Sequence, residues 1–362
     1  PTTMNIAYFT HSLRSDWNHG NAHFVRGVLT ELQARGHSVR AFEPHTSWSA
    51  QNLVADAGTE SLDAYRATYP TLTPTLYEAD FDPKIALQDA DLVIVHEWNP
   101  HDLVARIGQL RPNSGWKLLF HDTHHRAVSA PDEMALYDLS HYDGVLAFGQ
   151  VISDLYRQMG WAKRAWTWHE AADTRVFQPL EAPKTGDLVW IGNWGDDERS
   201  RELGEFLIQP VGELGLKAQI FGVRYPDEAK AALREANINY GSYLPNFRAP
   251  QTFARHAVTV HVPRRPYVER LPGIPTIRPF EALACGIPLV SAPWNDVENL
   301  FRVGQDFLVA RNGNEMKKQL RIVLNEPQLR ENMIANGLET IRARHTCAHR
   351  VDELLSVVKE LG

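Results

Sequence analysis

The chain has 362 residues, 43% of them hydrophobic, with 37 Lys and Arg against 44 Asp and Glu. A single core rarely grows beyond about 250–300 residues, so two domains are expected, and the ordinary apolar content excludes a mostly disordered chain. A mildly acidic surface repels phosphodiester backbones, so nucleic acid is not an expected partner, although a local basic groove stays open.

The two cysteines, Cys285 and Cys347, lie far apart without metal-ligand spacing. This disfavours a disulfide framework and suits a reducing cytoplasm. The opening PTTMNIAYFTHSL lacks a basic region followed by an apolar run, so no signal peptide is expected. No stretch approaches the roughly 18 consecutive apolar residues of a membrane helix. Oligomeric state is not legible.

In chain order, Met4 to Phe9 reads as a first strand and the segment with Phe24, Val25, Val28, Leu29 and Leu32 on one face as a helix stopping at Gly36. Ser38 to Phe42 is the second strand, which completes a βαβ unit. Trp48 to Asp82 breaks the rhythm and reads as an insertion of helix and loop. Asp91 to His96 (DLVIVH) is a strand buried on both faces, Asp102 to Leu110 a helix, and Trp116 to Phe120 a further strand. Gly144 to Ala147 and Arg164 to Thr167 follow as strands.

A polar, proline-bearing stretch at Thr167 to Pro183 suits a crossing between domains. The rhythm then restarts. Asp187 to Ile191, Lys217 to Phe221, Val258 to Val262, Ile287 to Ser291 and Phe307 to Val309 read as strands, Arg199 to Leu214 and Asp227 to Ala236 as helices, and Asn314 to Leu361 as helical segments. Strands alternating with helices imply two successive doubly wound parallel sheets, an α/β class with two Rossmann-like domains facing across a cleft. The expected division is 1–170, 171–345 and a closing helix at 346–362 that crosses back to the first domain.

Open α/β sheets bind ligands beyond the carboxyl ends of their strands. No GxGxxG follows the first strand and no GxxxxGK[ST] occurs, which removes the usual support for hydride transfer and for a P-loop nucleotidase. The Asp89 to Asp91 acid pair precedes a strand instead of following one, so a helix end and a solvated strand start explain it.

The sharpest pattern is GIPTIRPFEALACGIPLVSAP, Gly273 to Pro293. Pro279 suits the first turn of a short helix, Gly286 its end, and a strand follows at once. A helix N-terminus and its loop N–H groups offer an anion site, Arg278 can pair with phosphate oxygens, and Glu281 can accept from ribose hydroxyls. A surface Arg–Glu ion pair explains the same two residues.

This segment resembles the carboxyl-terminal domain of spore-maturation-protein-type glycosyltransferases, relatives of the family-4 glycosyltransferases with the GT-B architecture. RPFEALACGIPLVS (Arg278 to Ser291) is similar to the family's donor-ribose motif, RHTCAHRVDELL (Arg344 to Leu355) to its closing helix, and HEAADTRVFQPL (His169 to Leu180) to its domain crossing. The amino-terminal half matches more loosely, through HGNAHFVRGVLTELQARGHSV and FHDTHHR.

The resemblance implies transfer of a sugar from a nucleotide-diphosphate sugar of UDP or GDP type to a sugar or other hydroxyl acceptor, with retained configuration. Glu281 matches the second glutamate of the family's Glu-x7-Glu motif, whereas the first position is Gly273. Backbone N–H groups from Gly273 through Ile274, Thr276 and Ile277 are then expected at the diphosphate or sugar. Arg199 lies near the family's phosphate-binding Arg/Lys pair, with Arg201 nearest the missing lysine. Arg264 and Arg265 close the strand VTVHVPRR, as phosphate ligands or as a solvated basic turn. Tyr243 and Leu244 are expected over the nucleobase, with core packing as the other reading of Tyr243.

On the acceptor side, His121 is the first choice for the reaction centre and Asp122 the second, by resemblance. Chemically, a histidine titrating near neutrality can shuttle a proton. A loop histidine without chemistry is the plain alternative. His121, His124 and His125 lack tight zinc-ligand spacing, so no metal is expected and no cofactor is obligatory. Gly20, His19, Asp16 and Glu97 are expected along the acceptor pocket, and Trp98 either stacks on a sugar face or packs inside. Other classes remain open: a sugar-nucleotide epimerase or phosphorylase on the same architecture, or a non-enzymatic sugar-binding protein.

Overall fold

The structure is a computed structural model that describes residues 2–362. The chain forms two compact units, one running to Glu170 and completed by Cys347–Gly362, the other spanning Ala171–Thr346.

The first unit holds seven parallel strands: β1 Asn5–Phe9, β2 Ser38–Pro44, β3 Thr75–Tyr77, β4 Leu92–His96, β5 Lys117–Asp122, β6 Gly144–Ala147 and β7 Ala165–Thr167. Their order is β3-β2-β1-β4-β5-β6-β7, so the chain runs outward from β1 in one direction and then returns to β1 to run outward in the other. That reversal at β1 and β4 is where loops diverge and a ligand crevice opens in such sheets. β4 is buried along its whole length, as an unbroken apolar run covered on both faces requires. Helix Asn21–Ala34 crosses from β1 to β2 and buries Phe24, Val25, Val28, Leu29 and Leu32.

Helix Cys347–Glu360 completes this unit. Arg35 of the first helix meets Asp352 at 2.6 Å, and the Trp168 indole N–H donates to the Arg350 carbonyl at 2.8 Å.

The second unit holds six parallel strands: β8 Gly186–Ile191, β9 Ala218–Phe221, β10 Asn239–Tyr240, β11 His256–His261, β12 Leu289–Ser291 and β13 Leu308–Val309. Their order, β10-β9-β8-β11-β12-β13, reverses in the same way at β8 and β11. Leu188, Val258, Val260, Val290 and Leu320 are among the side chains of one core layer; Val189, Phe280, Leu289 and Phe307 belong to the other. Each such fully buried side chain contributes about 1.5–3 kcal/mol through removal of apolar surface from water.

Three readings of the sequence are corrected. The insertion at 48–82 contains an edge strand, β3, and β10 is likewise absent from the expectation. They have only three and two residues, so neither carries an alternating or continuous apolar signal. The expected helix Arg199 to Leu214 is α-helical at Ser200–Leu203 and Gln209–Leu214 but widens into a π turn over Gly204–Ile208. Pro210 follows, and its missing N–H cannot serve the α ladder. Finally β5 extends through Asp122, so His121 and Asp122 are strand residues, not the start of a loop.

Candidate functional site

In the second unit the residues singled out by sequence gather around the carboxyl ends of β8 and β11. Arg199 follows β8. Its guanidinium donates to the Val262 carbonyl at 3.0 Å and to the Asn193 carbonyl, and lies 5.0 Å from the centre of the Trp190 ring. The buried Nε has no partner among the described residues. Among the described residues no carboxylate is hydrogen-bonded to this cation. Desolvation lowers its pKa to about 9, helped by the neighbouring Arg264 and Arg278 charges and opposed by that of Glu198. A half-buried guanidinium bonded by neutral carbonyls favours an added anion.

Arg264 ends the loop after β11 and pairs with Glu198 at 3.0 Å. Two of the sequence-derived cations fall outside the cluster. Arg265 pairs with Glu202 at 3.0 Å, and Arg201 is 80% exposed and also leans on Glu202. The helix that Arg201 opens turns its side chain to solvent, which corrects the expectation that it replaces the missing lysine.

Helix Ile277–Ala284 carries Arg278 and Glu281. Of the surface ion-pair reading, the pair itself is present. They form an ion pair, with the Arg278 guanidinium donating to Glu281 Oε1 at 2.7 Å, but the carboxylate is not at the surface, since its side chain is 1% exposed. Its second oxygen accepts from Asn246 Nδ2. Arg278 is 31% exposed and uses one of its five N–H groups here, so the rest remain available to a phosphate. Asn246 escaped the sequence reading; its only signal was its place at the end of GSYLPNF.

The loop before this helix is conformationally unusual. Gly273 has φ +90° and Thr276 φ +62°. A Cβ added at Gly273 would stand 3.0 Å from Glu298 Oε2. A glutamate at 273, as the family motif has it, would therefore meet both a left-handed backbone and the Glu298 carboxylate. Ile274 and Ile277 are buried. Tyr243 and Leu244 are half-buried, and Leu244 packs on the core layer of Phe253 and Phe280.

His261, the last residue of β11, is a further residue the sequence did not single out. Its ring is buried and bonds Ser291 through Nδ1 at 3.1 Å, while Nε2 has no partner among the described residues. Burial and the Arg199 charge lower its pKa to about 3.

In the first unit, β4 and β5 place His96 beside His121, with Glu97 and Asp122 one residue on. His121 is fully buried, with Nδ1 2.7 Å from the Tyr8 hydroxyl, and desolvation pushes its pKa down to about 3. The ring stays neutral near pH 7. Burial thus holds His121 below the near-neutral titration expected of a histidine, because the water that would stabilise its imidazolium is excluded. Asp122 is equally buried and accepts from Tyr156 at 2.6 Å.

Glu97 accepts from the Thr123 amide at 2.8 Å and pairs with Arg126 at 3.2 Å. Its carboxyl is held well above the usual range by burial and then by the Asp122 charge. The Arg126 guanidinium lies 4.1 Å from the centre of the Trp98 ring, which is 42% exposed. Trp98 therefore does not pack inside.

Asp16 is tied to Arg26 at 2.9 Å, both side chains buried, which secures the loop after β1. His19 donates through Nε2 to the Ser12 carbonyl at 3.1 Å. Gly20 is the N-cap of helix Asn21–Ala34 in ordinary right-handed backbone, φ −63°. Among the described residues no group of three or more His, Cys, Asp or Glu could hold a metal ion, and no helix is long and apolar enough to cross a membrane.

Residues 199–356 match a family model described as glycosyl transferase-like. Comparison with curated proteins finds no match. Among solved structures, sucrose-phosphate synthase from Thermosynechococcus elongatus is similar over 99% of both chains at 14% identity, with a TM-score of 0.68. A glycosyltransferase from Rickettsia africae is similar over 100% of this chain and 99% of its own at 10% identity, TM-score 0.69. An α-glucosyltransferase in complex with UDP and a 13-mer DNA containing an HMU base is similar over 99% of this chain and 100% of its own at 11% identity, TM-score 0.72. The chain carries a glycosyltransferase-like domain, and its fold, two Rossmann-like parallel-sheet units, is that of the GT-B glycosyltransferases.

Proposed function

We propose that the protein transfers a sugar from a nucleoside-diphosphate sugar, held by the second unit, to a hydroxyl acceptor recognised by the first. The observation that carries this reading is Arg199, a half-buried cation with no carboxylate hydrogen-bonded to it among the described residues, near the Arg264 and Arg278 charges. A diphosphate is the ligand that offsets such a cluster.

In this reading the acceptor oxygen attacks the anomeric carbon as the bond to the β-phosphate oxygen breaks. The nucleoside diphosphate leaves with both electrons of that bond, and the acceptor proton passes to a leaving phosphate oxygen on the same face. Arg199, Arg264 and Arg278 stabilise the negative charge that builds on the diphosphate. Glu281 meets the ribose, with Arg278 bridging carboxylate and phosphate, and Tyr243 and Leu244 lie at the base. Glu298 supplies beside Gly273 the carboxylate that the family motif would place at that position. Retention rests on the resemblance of the donor motif. His121, Asp122 and Glu97 support the acceptor surface from beneath. The three guanidinia take the electrostatic part a metal would otherwise play, so activity should persist in excess chelator.

The reading is tested by thermal melts with UDP, GDP, ADP and dTDP on the wild type and on Glu281→Ala. A nucleotide at about 100 times its dissociation constant stabilises the fold by roughly 2.7 kcal/mol. One nucleotide should raise the wild-type midpoint and lose that effect in the variant. If none does, the donor site is wrong. Donor turnover without acceptor, or only with inorganic phosphate, would instead favour an epimerase or a phosphorylase.

A further inference from the structure

The loops after β1 and β2 bring His11, Trp17 and Trp48 together with His19 in an aromatic cluster. His11 follows β1, and Trp48 opens helix Trp48–Ala57 after β2. The His11 ring lies 5.9 Å from Trp48 and 5.3 Å from His19, and Trp17 meets Trp48 edge-on at 5.4 Å. Trp48 is 42% exposed.

The backbone settles the tautomers of both histidines. The Ser49 amide donates to His11 Nε2 at 3.1 Å, so the neutral His11 ring carries its proton on Nδ1. The Ser12 carbonyl can only accept, so His19 donates from Nε2 and keeps a lone pair on Nδ1. Neither Nδ1 bonds another group among the described residues. Desolvation holds His11 down to about 4 and His19 well below its ordinary value, so both rings are uncharged near pH 7. The cluster thus combines one fixed N–H donor on His11, one fixed acceptor on the buried His19 and the exposed Trp48 indole.

A sugar hydroxyl can accept from the His11 Nδ1–H or donate to His19 Nδ1, and the C–H face of a pyranose suits the indole. Neighbouring charges are already paired, Arg14 with Glu43 at 2.7 Å and Arg26 with Asp16 at 2.9 Å. The first unit carries 15 Lys and Arg against 23 Asp and Glu, whereas the second carries 22 against 21. Phosphodiesters and acidic sugars are repelled by that balance.

We propose that His11, His19 and Trp48 form a subsite for a neutral carbohydrate, which makes the acceptor an uncharged glycan. The assignment of that glycan as acceptor rests on the transfer reading above; the carbohydrate subsite itself does not. The test is binding of the full chain to a microarray of neutral, sulfated and sialylated oligosaccharides that also carries a single-stranded DNA oligonucleotide.

Wild type and Glu281→Ala should bind neutral glycans, with signal reduced at least tenfold in Trp48→Ala and in His11→Phe. Trp48 is exposed, so its variant keeps the fold and decides the matter if His11→Phe does not. Binding to anionic glycans or DNA alone, no binding, or neutral binding that survives Trp48→Ala overturns the subsite. Nucleotide stabilisation without glycan binding would leave the donor reading standing and remove this one. Glycan binding without any nucleotide effect would do the reverse.

Discussion

Arg199 is more costly to the empty fold than useful to it. Its guanidinium is desolvated and bonded only by carbonyls, beside two other arginines. Arg199→Met keeps the packing against Trp190 and removes the charge, so the midpoint without nucleotide should stay unchanged or rise. Nucleotide-induced stabilisation should disappear, and a melt with and without UDP reads both effects. A fall in the unliganded midpoint would mean that Arg199 is structural. Thr276 makes a parallel case. Its backbone, φ +62° and ψ −167°, is one that glycine tolerates and a β-branched residue does not. Such strain costs about 1–3 kcal/mol, and glycine entropy returns about 0.5–1 kcal/mol of it. Thr276→Gly should therefore raise stability by about 1 kcal/mol in urea titration while weakening nucleotide binding through a looser loop. Lower stability would show that the surroundings favour the threonine conformation.

At the scale of elements, the proposed donor site depends on how closely the ends of β8 and β9 approach. A Cβ added at Gly222 would fall 1.8 Å from the Gly192 carbonyl oxygen, a backbone atom with no room to retreat. Gly192 precedes Asn193, whose carbonyl holds Arg199. Gly222→Ala should then cost more than about 2 kcal/mol, as other forced overlaps in packed regions do, and impair nucleotide binding through Arg199. Urea titration and nucleotide melts on this variant check both, and an unchanged urea midpoint would show that the two loops move apart freely. The helix Ile277–Ala284 shows the complementary case, since Arg278 and Glu281 are one turn apart and the turn itself makes their ion pair. What the turn does not supply is Asn246, which arrives from a separate loop to close the carboxylate's other side.

Across the whole molecule, buried neutral histidines set a pH limit. His121 and His261 titrate near 3, and His19 and His96 are also pushed well below their ordinary value, mainly by burial. Unfolded histidines titrate near 6.5, so between that value and the folded values the unfolded chain binds more protons. Stability is fully present above about pH 6.5 and falls as the pH drops below it. At pH 5.5 each such residue costs about 1.4 kcal/mol relative to neutral pH. Denaturant midpoints from pH 7.5 to 5.5 should decline steeply, and less so in His261→Phe. A flat profile would mean that these rings are protonated in the fold.

The strand-helix alternation was legible because its cause is local. Continuous apolar runs such as DLVIVH and the helical face of Phe24 to Leu32 state their own burial. From that alternation alone come the α/β class and two Rossmann-like halves; the short strands β3 and β10 were invisible because edge pairing asks little of side-chain pattern. Candidate residues at strand ends were legible by type and position, as with Arg199, Arg278 and Glu281. Their electrostatic states were not. Whether a charge is paired, or a histidine can hold a proton, depends on desolvation and on neighbours distant in the chain. His121 read as a proton carrier from its type and became a neutral buried ring; Asp16 read as a pocket residue and became the partner of Arg26. Local pattern thus carries the elements and the residue types at their ends. Which of those groups keep water and which gain a partner is settled by packing, because those outcomes are sums over contacts that no local pattern encodes.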